Sequence, residues 1–501
     1  MRRRDFLQVL AASILAGTVN GGPLRAAGGN WKDQFHAALG KNPWLLGYRS
    51  VEKPIYTQTS LPIEGQLPPE LKGVFYRNGP AQHEHGDLRY HHWFDGDGMV
   101  HAYHFDGQTV THRARMVETE KYLREKEAGR PLTHGFGTAL PELERPRSAD
   151  GLNTANISIL KHNGELLALW EGGSAYRLDP ETLGTLGLKS WNSQTVGAPF
   201  SAHPRVDRDG TLWNFGYAAT FGAVILYHIS AGGEVLNTGV IAAPETPMVH
   251  DFVITDRHLV LLLAPFRFEK SREGAFLEKF VWRDNEPGRA LIVDKNDLNS
   301  VREVEIPPMW IFHYANAHED SGGRIIMQAP VYDTPAIMTE TFREVMRGNE
   351  IEAAGAKFMS LTIDPTRDIF AQDEITGLNN SEFPRIDQRL QGVRHRYSYT
   401  MQSTRLALGR GFDRVNRIDH KTGNIQAFQY SDTEMAEEHL FVHRPGSSKE
   451  GDGWLLGTSL DVAKQHSTLN VFRAGALADG PVARMSLPFA LPLGLHGNFY
   501  S

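Results

Sequence analysis

Short hydrophobic segments separated by turn dipeptides constrain the fold of this 501-residue chain more than any other feature. Apolar or alternating runs occur at Gly73–Arg77, Met99–Phe105, Leu166–Trp170, Leu259–Leu263 and Arg324–Gln328. Turn signals such as Asp106-Gly107 and Asn163-Gly164 follow or separate such runs, as expected for β-strands joined by tight turns. Helical periodicity is local, around 340–354 and 31–39. Many short strands without alternating helices exclude a parallel α/β fold, so a large barrel, a pair of sandwiches or a propeller remains.

The composition limits the chemistry of any functional site. Cysteine is absent, so no disulfide framework, thiolate metal site or cysteine nucleophile is available. A metal would therefore need nitrogen or oxygen ligands, and the chain contains 22 histidines. The formal net charge of −7 gives no basic surface for nucleic acid, which we do not expect as a partner.

The first 27 residues have the pattern of an export signal. Arg2, Arg3 and Arg4 precede Asp5-Phe6-Leu7, an uncharged stretch follows over 9–19, and small residues suited to signal peptidase occur at 24–27. This apolar stretch is too short for a transmembrane helix, and the Arg-Arg-x-Phe-Leu order resembles a twin-arginine signal. We expect a periplasmic or secreted protein that uses the twin-arginine export machinery, which moves proteins already folded and loaded with cofactor.

Several groups of histidines compete as metal ligands. The densest comprises His83, His85, His91, His92 and His101, but the first two adjoin turn residues. His91 and His92, as neighbours in a strand, would point to opposite faces, so we expect this group to be structural or exposed to solvent.

Two further combinations are also weak. His439 and His443 share a strand face, which alternation alone explains. His313 with His318 and Glu319 imitates an iron triad of two histidines and one carboxylate. Residues five apart in a strand lie on opposite faces, which argues against that triad.

A different set of motifs resembles the carotenoid cleavage oxygenase family over nearly the whole chain. In order, the matching motifs are Gly65-Gln-Leu-Pro-Pro-Glu-Leu-Lys-Gly73, Arg77-Asn-Gly-Pro80, His92-Trp-Phe-Asp-Gly-Asp-Gly-Met99, Leu166-Leu-Ala-Leu-Trp-Glu171, Ala202-His-Pro204, His250-Asp-Phe252, Phe312-His-Tyr-Ala-Asn-Ala317, Ser381-Glu-Phe-Pro384, Glu438-His-Leu-Phe-Val442 and Leu495-His-Gly497. Each motif alone is short and unspecific, whereas the ordered set is specific.

The resemblance implies an all-β fold, a seven-bladed β-propeller with iron on its axis and a cap of helices and loops over the top face. It would occupy 28–501 as a single domain. The implied cofactor is one Fe(II) per chain. By motif, the metal ligands are His203, His250, His313 and His496, and the glutamates that accept hydrogen bonds from ligand imidazoles are Glu171, Glu382 and Glu438.

The spacing of these seven residues supports a propeller. In chain order, from Glu171 to His496, they lie 32, 47, 63, 69, 56 and 58 residues apart. The mean step of about 54 residues is close to one residue per blade of a propeller with elaborated blades. We therefore expect one inner strand per blade to direct each side chain at the axis.

The implied reaction is the oxidative cleavage of a C=C bond by dioxygen, which gives two carbonyl products. A carotenoid or apocarotenoid is the expected substrate, bound in a cavity that includes Phe94, Ile157 and Trp170. Relatives that cleave phenolic stilbenes have lysine where this chain has Trp170, so the departure favours an apolar polyene. Ile157 replaces a frequent threonine near the metal, which removes a hydroxyl group. A carotenoid has to leave a bilayer, which is compatible with peripheral membrane contact.

Three alternatives remain open from the sequence. The same iron site could serve stilbene or phenylpropenoid alkenes, against which Trp170 argues. The chain could be a non-catalytic polyene-binding propeller or an isomerase, although all four histidines and three glutamates are present. It could also be an unrelated exported propeller with calcium or an organic cofactor, in which case the histidine spacing is coincidence.

Overall fold

The computed structural model describes residues 30–501 except 59, 141–143, 145, 147, 353–354 and 406–407. The predicted export signal lies outside the described residues. Almost all described regular structure is β-strand, and the α-helices are Trp31–Leu39, Glu120–Ala128 and Phe342–Arg347, the last preceded by a π-helical turn, Ile337–Thr341. None of the described helices is long and apolar enough to cross a membrane.

Seven antiparallel sheets form the blades of a β-propeller, which confirms the predicted fold class. From the innermost strand outward, blade 1 contains His496–Tyr500, Lys72–Gln82, Asp97–Asp106, Val110–Met116 and Ile55–Gln58; blade 2 Ser158–His162, Glu165–Leu169, Tyr176–Leu178 and Thr185–Leu188; blade 3 Arg205–Val206, Leu212–Ala218, Ala223–Ile229 and Val235–Ala242; blade 4 Val253–Ile254, His258–Leu263, Gly288–Asp294 and Val301–Ile306; blade 5 Asn316–Glu319, Ile325–Val331, Lys357–Asp364 and Ile369–Asn379; blade 6 Ser381–Arg385, Tyr397–Gln402, Arg414–Asp419 and Ile425–Gln429; and blade 7 Glu434–His443, Gly453–Asp461, His466–Arg473, Pro481–Ser486 and Ile63–Gly65. Two small hairpins pair Phe266–Phe268 with Phe280–Trp282 and Glu84–His85 with Leu88–Arg89.

Strands from distant parts of the chain close the ring. The last strand, His496–Tyr500, pairs with Lys72–Gln82 as the inner edge of blade 1. The early strand Ile63–Gly65 pairs with Pro481–Ser486 at the outer edge of blade 7. Both ends of the described chain therefore hold blades 1 and 7 in place.

The core lies between the blades, because each sheet packs both faces against its neighbours. The strand Leu212–Ala218, for example, is buried at every position, as is Gly453–Asp461. This explains why several strands appear in the sequence as continuous apolar runs rather than as alternating ones. All five runs predicted as strands coincide with strands, except that Trp170 and Arg324 each lie one residue outside.

The helices differ in two places from the sequence prediction, since the helix Glu120–Ala128 was not predicted. The helix Trp31–Leu39 has the predicted bounds. The second predicted helix, over 340–354, instead ends at Arg347, because Gly348 takes a left-handed conformation (φ 96°) that terminates it.

A cap of helices and loops is anchored by the polar residues of the segment 92–97. The ring Nε2 of His92 lies 2.9 Å from the Met338 carbonyl oxygen in the π-helical turn. Asp95 accepts a hydrogen bond from the Thr138 hydroxyl at 2.6 Å, and Asp97 contacts Lys121 of the helix Glu120–Ala128 at 2.9 Å. One short segment thus positions three parts of the cap above the propeller.

Candidate metal centre

The innermost strands of the seven blades bring one residue each to the axis. These residues lie just before or within the innermost strand and are Ile157, His203, His250, His313, Glu382, Glu438 and His496. The set corrects the expected one, because Glu171 follows Glu165–Leu169, the second strand of blade 2. The corresponding position on the innermost strand is Ile157, which precedes Ser158–His162. The spacing of only 32 residues between Glu171 and His203, the shortest of the six, was the sign in the sequence that Glu171 departs from the pattern.

Hydrogen bonds between neighbouring blades hold the histidine segments together. Arg205, two residues after His203, contacts the Asp251 carboxylate at 2.5 Å and donates to the Phe252 carbonyl at 3.0 Å. Asp251 in turn accepts a hydrogen bond from the Tyr314 backbone amide at 3.0 Å. The residues that flank three histidines therefore link blades 3, 4 and 5 around the axis.

A second set of contacts fixes the segment before His496. The Arg77 guanidinium donates to Glu437 at 3.0 Å, and Glu437 accepts from the Gly494 backbone amide at 2.5 Å. The backbone at Gly79 lies so close to Gly494 that an added Cβ would be 2.3 Å from its Cα atom. The Arg77-Asn-Gly-Pro80 motif therefore serves to dock the last strand.

The four imidazoles converge on one point. Their ligand nitrogens all lie within 4.8 Å of one another. The Nε2 atoms of His203 and His250 are 3.0 Å apart, and the ring centroids of His313 and His496 are 4.7 Å apart. Metal–imidazole bonds of about 2.1 Å at right angles would separate two nitrogens by about 3 Å. This spacing suits four nitrogens around a single ion.

Three of the four imidazoles contact a carboxylate through Nδ1, the ring nitrogen that does not point at the other histidines. The Nδ1 atoms of His250, His313 and His496 lie 2.8, 2.6 and 2.8 Å from Glu171, Glu382 and Glu438, respectively. An imidazole that donates its Nδ1–H to a carboxylate has the Nε2 lone pair free for a metal. For His203, the described residues supply no such carboxylate.

Burial keeps most of these imidazoles neutral. It lowers the pKa of His313 to about 3, that of His496 to about 4 and that of His203 well below its usual value. At His250, burial opposes protonation but the adjacent Glu171 carboxylate outweighs it and raises the pKa. Neutral imidazoles are the form that binds metals.

The ring nitrogens of the four histidines have the unmet bonding capacity that a metal ion would satisfy. His313 Nε2 is buried and finds no hydrogen-bond partner among the described residues. The two Nε2 atoms of His203 and His250 face each other at 3.0 Å, so they share either a proton or a cation. Buried polar atoms are rarely left without a partner. A divalent cation with a preference for nitrogen ligands would satisfy all four rings.

Arg385 and Tyr217 hold two of the glutamates that contact the imidazoles, and neither was foreseen from the sequence. The Arg385 guanidinium donates to Glu438 at 2.8 Å and to the Gly497 carbonyl at 2.9 Å, and Tyr217 donates to Glu171 at 2.8 Å. Burial opposes ionisation of Glu438, but Arg385 and His496 hold its pKa far below the usual range. At Glu382, burial dominates and raises the pKa to about 7. Arg385 follows the Ser381-Glu-Phe-Pro384 motif directly, which was the available signal.

We expect Glu438→Gln to lose metal affinity by about 10–100-fold with the fold intact, because the amide removes the charge that orients and polarises His496. Chelator competition on purified protein measures this loss. Glu434→Gln is the matched control, since Glu434 lies buried in the same strand but contacts Arg484 instead. A lower melting temperature with normal iron per folded molecule in Glu438→Gln would mean that Glu438 is merely structural.

Phe383 occupies a strained position beside the centre. Its φ of 52° is left-handed, which is unusual for an aromatic residue. This conformation sits at an irregularity between Glu382 and Arg385 in the pairing of their strand. The Phe383 ring lies 5.2 Å from that of His313 and 5.1 Å from that of His496, so it shields both from solvent.

A cavity of about 620 Å³ adjoins the four-histidine centre. His250, His313 and His496 line it, and the structure also places all three predicted cavity residues, Phe94, Ile157 and Trp170, on its wall. Most of the other lining side chains are apolar, and they include Phe136, Phe276, Phe312, Phe342, Phe383 and Phe412. Such a cavity suits a long, apolar ligand.

The other histidine groups do not approach the centre. His92 is buried and contacts the Met338 carbonyl oxygen, and His91 stacks on Trp31 with ring centroids 4.1 Å apart. These two residues precede a short 3₁₀-helix, Trp93–Asp95, rather than lying in a strand as expected. His439 is buried against the Tyr430 hydroxyl, whereas His443 is exposed. Their roles are structural.

A second group of metal-ligating side chains already encloses a cation. His85, Asp97 and Glu125 come close together in the cap and are buried. The Lys121 ammonium donates to Asp97 at 2.9 Å and to Glu125 at 2.8 Å. The positive charge that this group needs is therefore supplied by lysine.

Known proteins resemble this chain over almost its full length. The family model described as retinal pigment epithelial membrane protein matches residues 48–501. Apocarotenoid-15,15'-oxygenase of Synechocystis sp. is 28% identical over 478 residues, covering 91% of this chain and 96% of that protein. Lignostilbene-alpha,beta-dioxygenase isozyme III of Sphingomonas paucimobilis is 29% identical over 488 residues, covering 91% and 97%. The crystal structure of cobalt-substituted Synechocystis apocarotenoid oxygenase superposes with a TM-score of 0.84 at 27% identity, covering 92% of this chain and 98% of that chain.

Proposed function

The chain belongs to the retinal pigment epithelial membrane protein family, that of the carotenoid cleavage oxygenases, and on this premise we propose that it is an iron(II)-dependent dioxygenase that cleaves a C=C bond of a carotenoid or apocarotenoid. The products would be two carbonyl compounds. The metal would be held by His203, His250, His313 and His496, one ion per chain.

One observation carries the proposal: four imidazoles converge beside an aromatic cavity, and three of them turn Nδ1 to a carboxylate, which leaves the Nε2 lone pair for a metal. Iron(II), when bound, supplies the activation of dioxygen. The described residues place no thiol and no paired serine and histidine at the centre that would suggest nucleophilic catalysis instead. The arrangement favours oxidative chemistry on an apolar substrate.

The protein's own residues orient the four imidazoles, shield them from water and enclose the substrate. Glu171, Glu382 and Glu438 fix the ring orientation of their histidines by accepting the Nδ1 protons. Phe312 lies with its ring 5.3 Å from that of His250, and Phe383 covers the opposite rings. These rings exclude water and leave a flat apolar surface on which a polyene can lie.

A second candidate keeps the metal and takes a phenolic alkene, because the lignostilbene dioxygenase is as similar as the apocarotenoid oxygenase. Trp170, which lies on the cavity wall, argues against it. At this part of the wall, the indole ring supplies apolar contact and no positive charge for a phenolate.

Product analysis tests the function. Purified, iron-loaded protein is incubated with dioxygen and either an apocarotenal or a hydroxystilbene, and the aldehyde products are identified by mass spectrometry. We expect cleavage of the apocarotenal at one double bond. Binding without any carbonyl product would show a polyene-binding protein, and faster cleavage of the stilbene would favour the second candidate.

We expect Trp170→Lys to erode the preference for apocarotenals over hydroxystilbenes, measured as the ratio of kcat/KM values, by about tenfold. The substitution removes apolar contact with the polyene and adds a possible ion pair for a phenolate. Trp170→Phe, which keeps an apolar ring, should leave the ratio within about threefold of the wild type. An unchanged ratio in Trp170→Lys would show that this wall does not contact the substrate.

Export by the twin-arginine route is part of the proposal and is supported by the Arg-Arg-x-Phe-Leu order at the N-terminus. We expect Arg3→Lys combined with Arg4→Lys to retain a folded, iron-loaded precursor in the cytoplasm. Cell fractionation measures the distribution. Continued export of the double variant would contradict this route.

A further inference from the structure

Seven charged side chains line the cavity in the described part of the chain, and all but one have a partner. The six with partners are Asp95 with Thr138, Lys121 with Asp97 and Glu125, Glu144 with Arg124, Glu171 with His250, Glu382 with His313 and Glu437 with Arg77. The seventh is Lys279, which makes no ion pair and whose side chain makes no hydrogen bond with any described residue. Lys279 is thus the one charged lining residue for which the described residues supply no partner.

The backbone around Lys279 is held rigidly. Lys279 ends the 3₁₀-helix Leu277–Lys279, in which the Leu277 amide donates to the Phe136 carbonyl at 2.7 Å. The preceding residue, Glu278, does not serve Lys279, because it contacts Arg343 at 3.2 Å and accepts from the Ala275 amide at 2.9 Å.

His134 lies next to the Lys279 ammonium on the cavity wall. Burial lowers the pKa of His134, and the nearby charge of Lys279 lowers it further. A neutral imidazole beside an ammonium is a polar patch that an anionic group can occupy without repulsion. Among the charged side chains that act on His134, Lys279 opposes its protonation and Glu278 favours it.

A row of aromatic rings leads from the metal centre to this patch. The ring of Phe312 lies 5.3 Å from that of His250 and 6.4 Å from that of Phe94. Phe94 lies 6.0 Å from Phe136, which lies 6.3 Å from Phe276. Phe276 lies three residues before Lys279, and both line the cavity, so Lys279 belongs to the segment at the end of the row away from His250.

A ligand that fills the cavity displaces water from the cavity side of the half-buried Lys279 side chain. An ammonium removed from water without a partner is costly, and a neutral polyene offers none. A substrate with an anionic terminus would instead lie along the rings and place its charge at Lys279. A carboxylate is ionised at neutral pH, whereas a phenol is not, so the carboxylate gains more from the contact.

We propose that Lys279 binds the carboxylate terminus of the substrate, and that the preferred substrate is an apocarotenoid acid rather than a neutral carotenoid. The inference rests on the proposed function and assigns its substrate class. With the terminus fixed at one end of the aromatic row, the double bond that reaches the four histidines is also fixed. Lys279 would therefore determine which bond is cut.

The test compares an apocarotenoic acid with its methyl ester, which has the same polyene but no charge. Dissociation constants are measured without dioxygen, by quenching of tryptophan fluorescence in the iron-loaded protein, and turnover is then started by admitting oxygen. We expect the wild type to bind the acid about tenfold more tightly than the ester, as one charge-assisted hydrogen bond provides. Lys279→Met should abolish that ratio, and Lys279→Arg should retain it.

Lys270→Met is the matched control, because Lys270 is an exposed lysine close in sequence that does not line the cavity. The inference is overturned if the wild type binds acid and ester equally, or if Lys279→Met keeps the wild-type ratio. A hydroxystilbene that loses affinity in Lys279→Met while the acid does not would assign Lys279 to phenols instead. Acid that binds through Lys279 but is never cleaved would contradict the proposed function and leave this inference standing.

Discussion

His496→Ala is expected to reduce bound iron from about one ion per chain to below about 0.1 and to abolish turnover, with the propeller still folded. His496 supplies one of only four nitrogens at the centre, and its Nδ1 is already committed to Glu438. An ion left with three imidazoles loses both a ligand and the rigid support that this strand provides. The same result is expected for His203, His250 and His313.

The measurement is iron content per folded chain after reconstitution, with circular dichroism to confirm the fold. His443→Ala is the matched control, because His443 is exposed at the far end of the strand that carries Glu438. This control should bind iron and turn over as the wild type does. Stoichiometric iron and full activity in His496→Ala would disprove the assignment of the ligands.

The all-β class of the fold was predictable because the patterns that indicate its strands and turns are local and occur along the whole chain. Strands such as Leu259–Leu263 are apolar throughout and bounded by turns, and the family motifs recur in the right order. The sequence did not distinguish a propeller from a barrel or sandwiches without the family resemblance, because the blades lack a uniform repeat. Ring closure depends on pairing between strands more than 400 residues apart, which no local pattern encodes.

The placement of the metal-site residues was predictable in part. The four histidines do converge, and three glutamates contact three of them. The position of Glu171 just after the second strand of blade 2 was not foreseen, because spacing along the chain does not show which strand of a blade precedes a residue. Arg385 was missed because it contacts Glu438, which lies 53 residues further along the chain, and no local pattern indicates such a contact.

The two lysines on the cavity wall were beyond prediction. Lys121 and Lys279 lie in segments without a motif, and each reaches the cavity only because loops and helices of the cap fold over the blades. Nothing in the sequence distinguishes the two lysines, but their surroundings in the structure differ. Lys121 is buried and fully paired, whereas Lys279 is not paired with any described residue.

Lys121→Met is expected to destabilise the protein by about 3–5 kcal/mol, because it leaves two buried carboxylates without their cation. The Lys121 ammonium donates to Asp97, Glu125 and the Tyr90 hydroxyl at 2.9, 2.8 and 2.6 Å. Burial alone would raise the pKa of Asp97, but Lys121 and His85 outweigh it and lower the pKa. Urea unfolding measures the loss, and Lys126→Met, at an exposed position of the same helix, should cost less than about 1 kcal/mol.

The pH dependence of this loss follows from the sign of the Asp97 shift. In the wild type, the lowered pKa means that ionised Asp97 adds stability above its unfolded-state pKa of about 4, which is lost as the pH falls through its folded-state value. Without Lys121, the burial that opposes ionisation of Asp97 gains weight and raises its pKa, so the variant should become more stable as the pH falls from 8 towards 5. Adding Asp97→Asn and Glu125→Gln to Lys121→Met should recover much of the loss, because no buried charge then lacks a partner. A destabilisation independent of pH and unrelieved by these substitutions would mean that Lys121 acts through packing of its aliphatic chain, not through its charge.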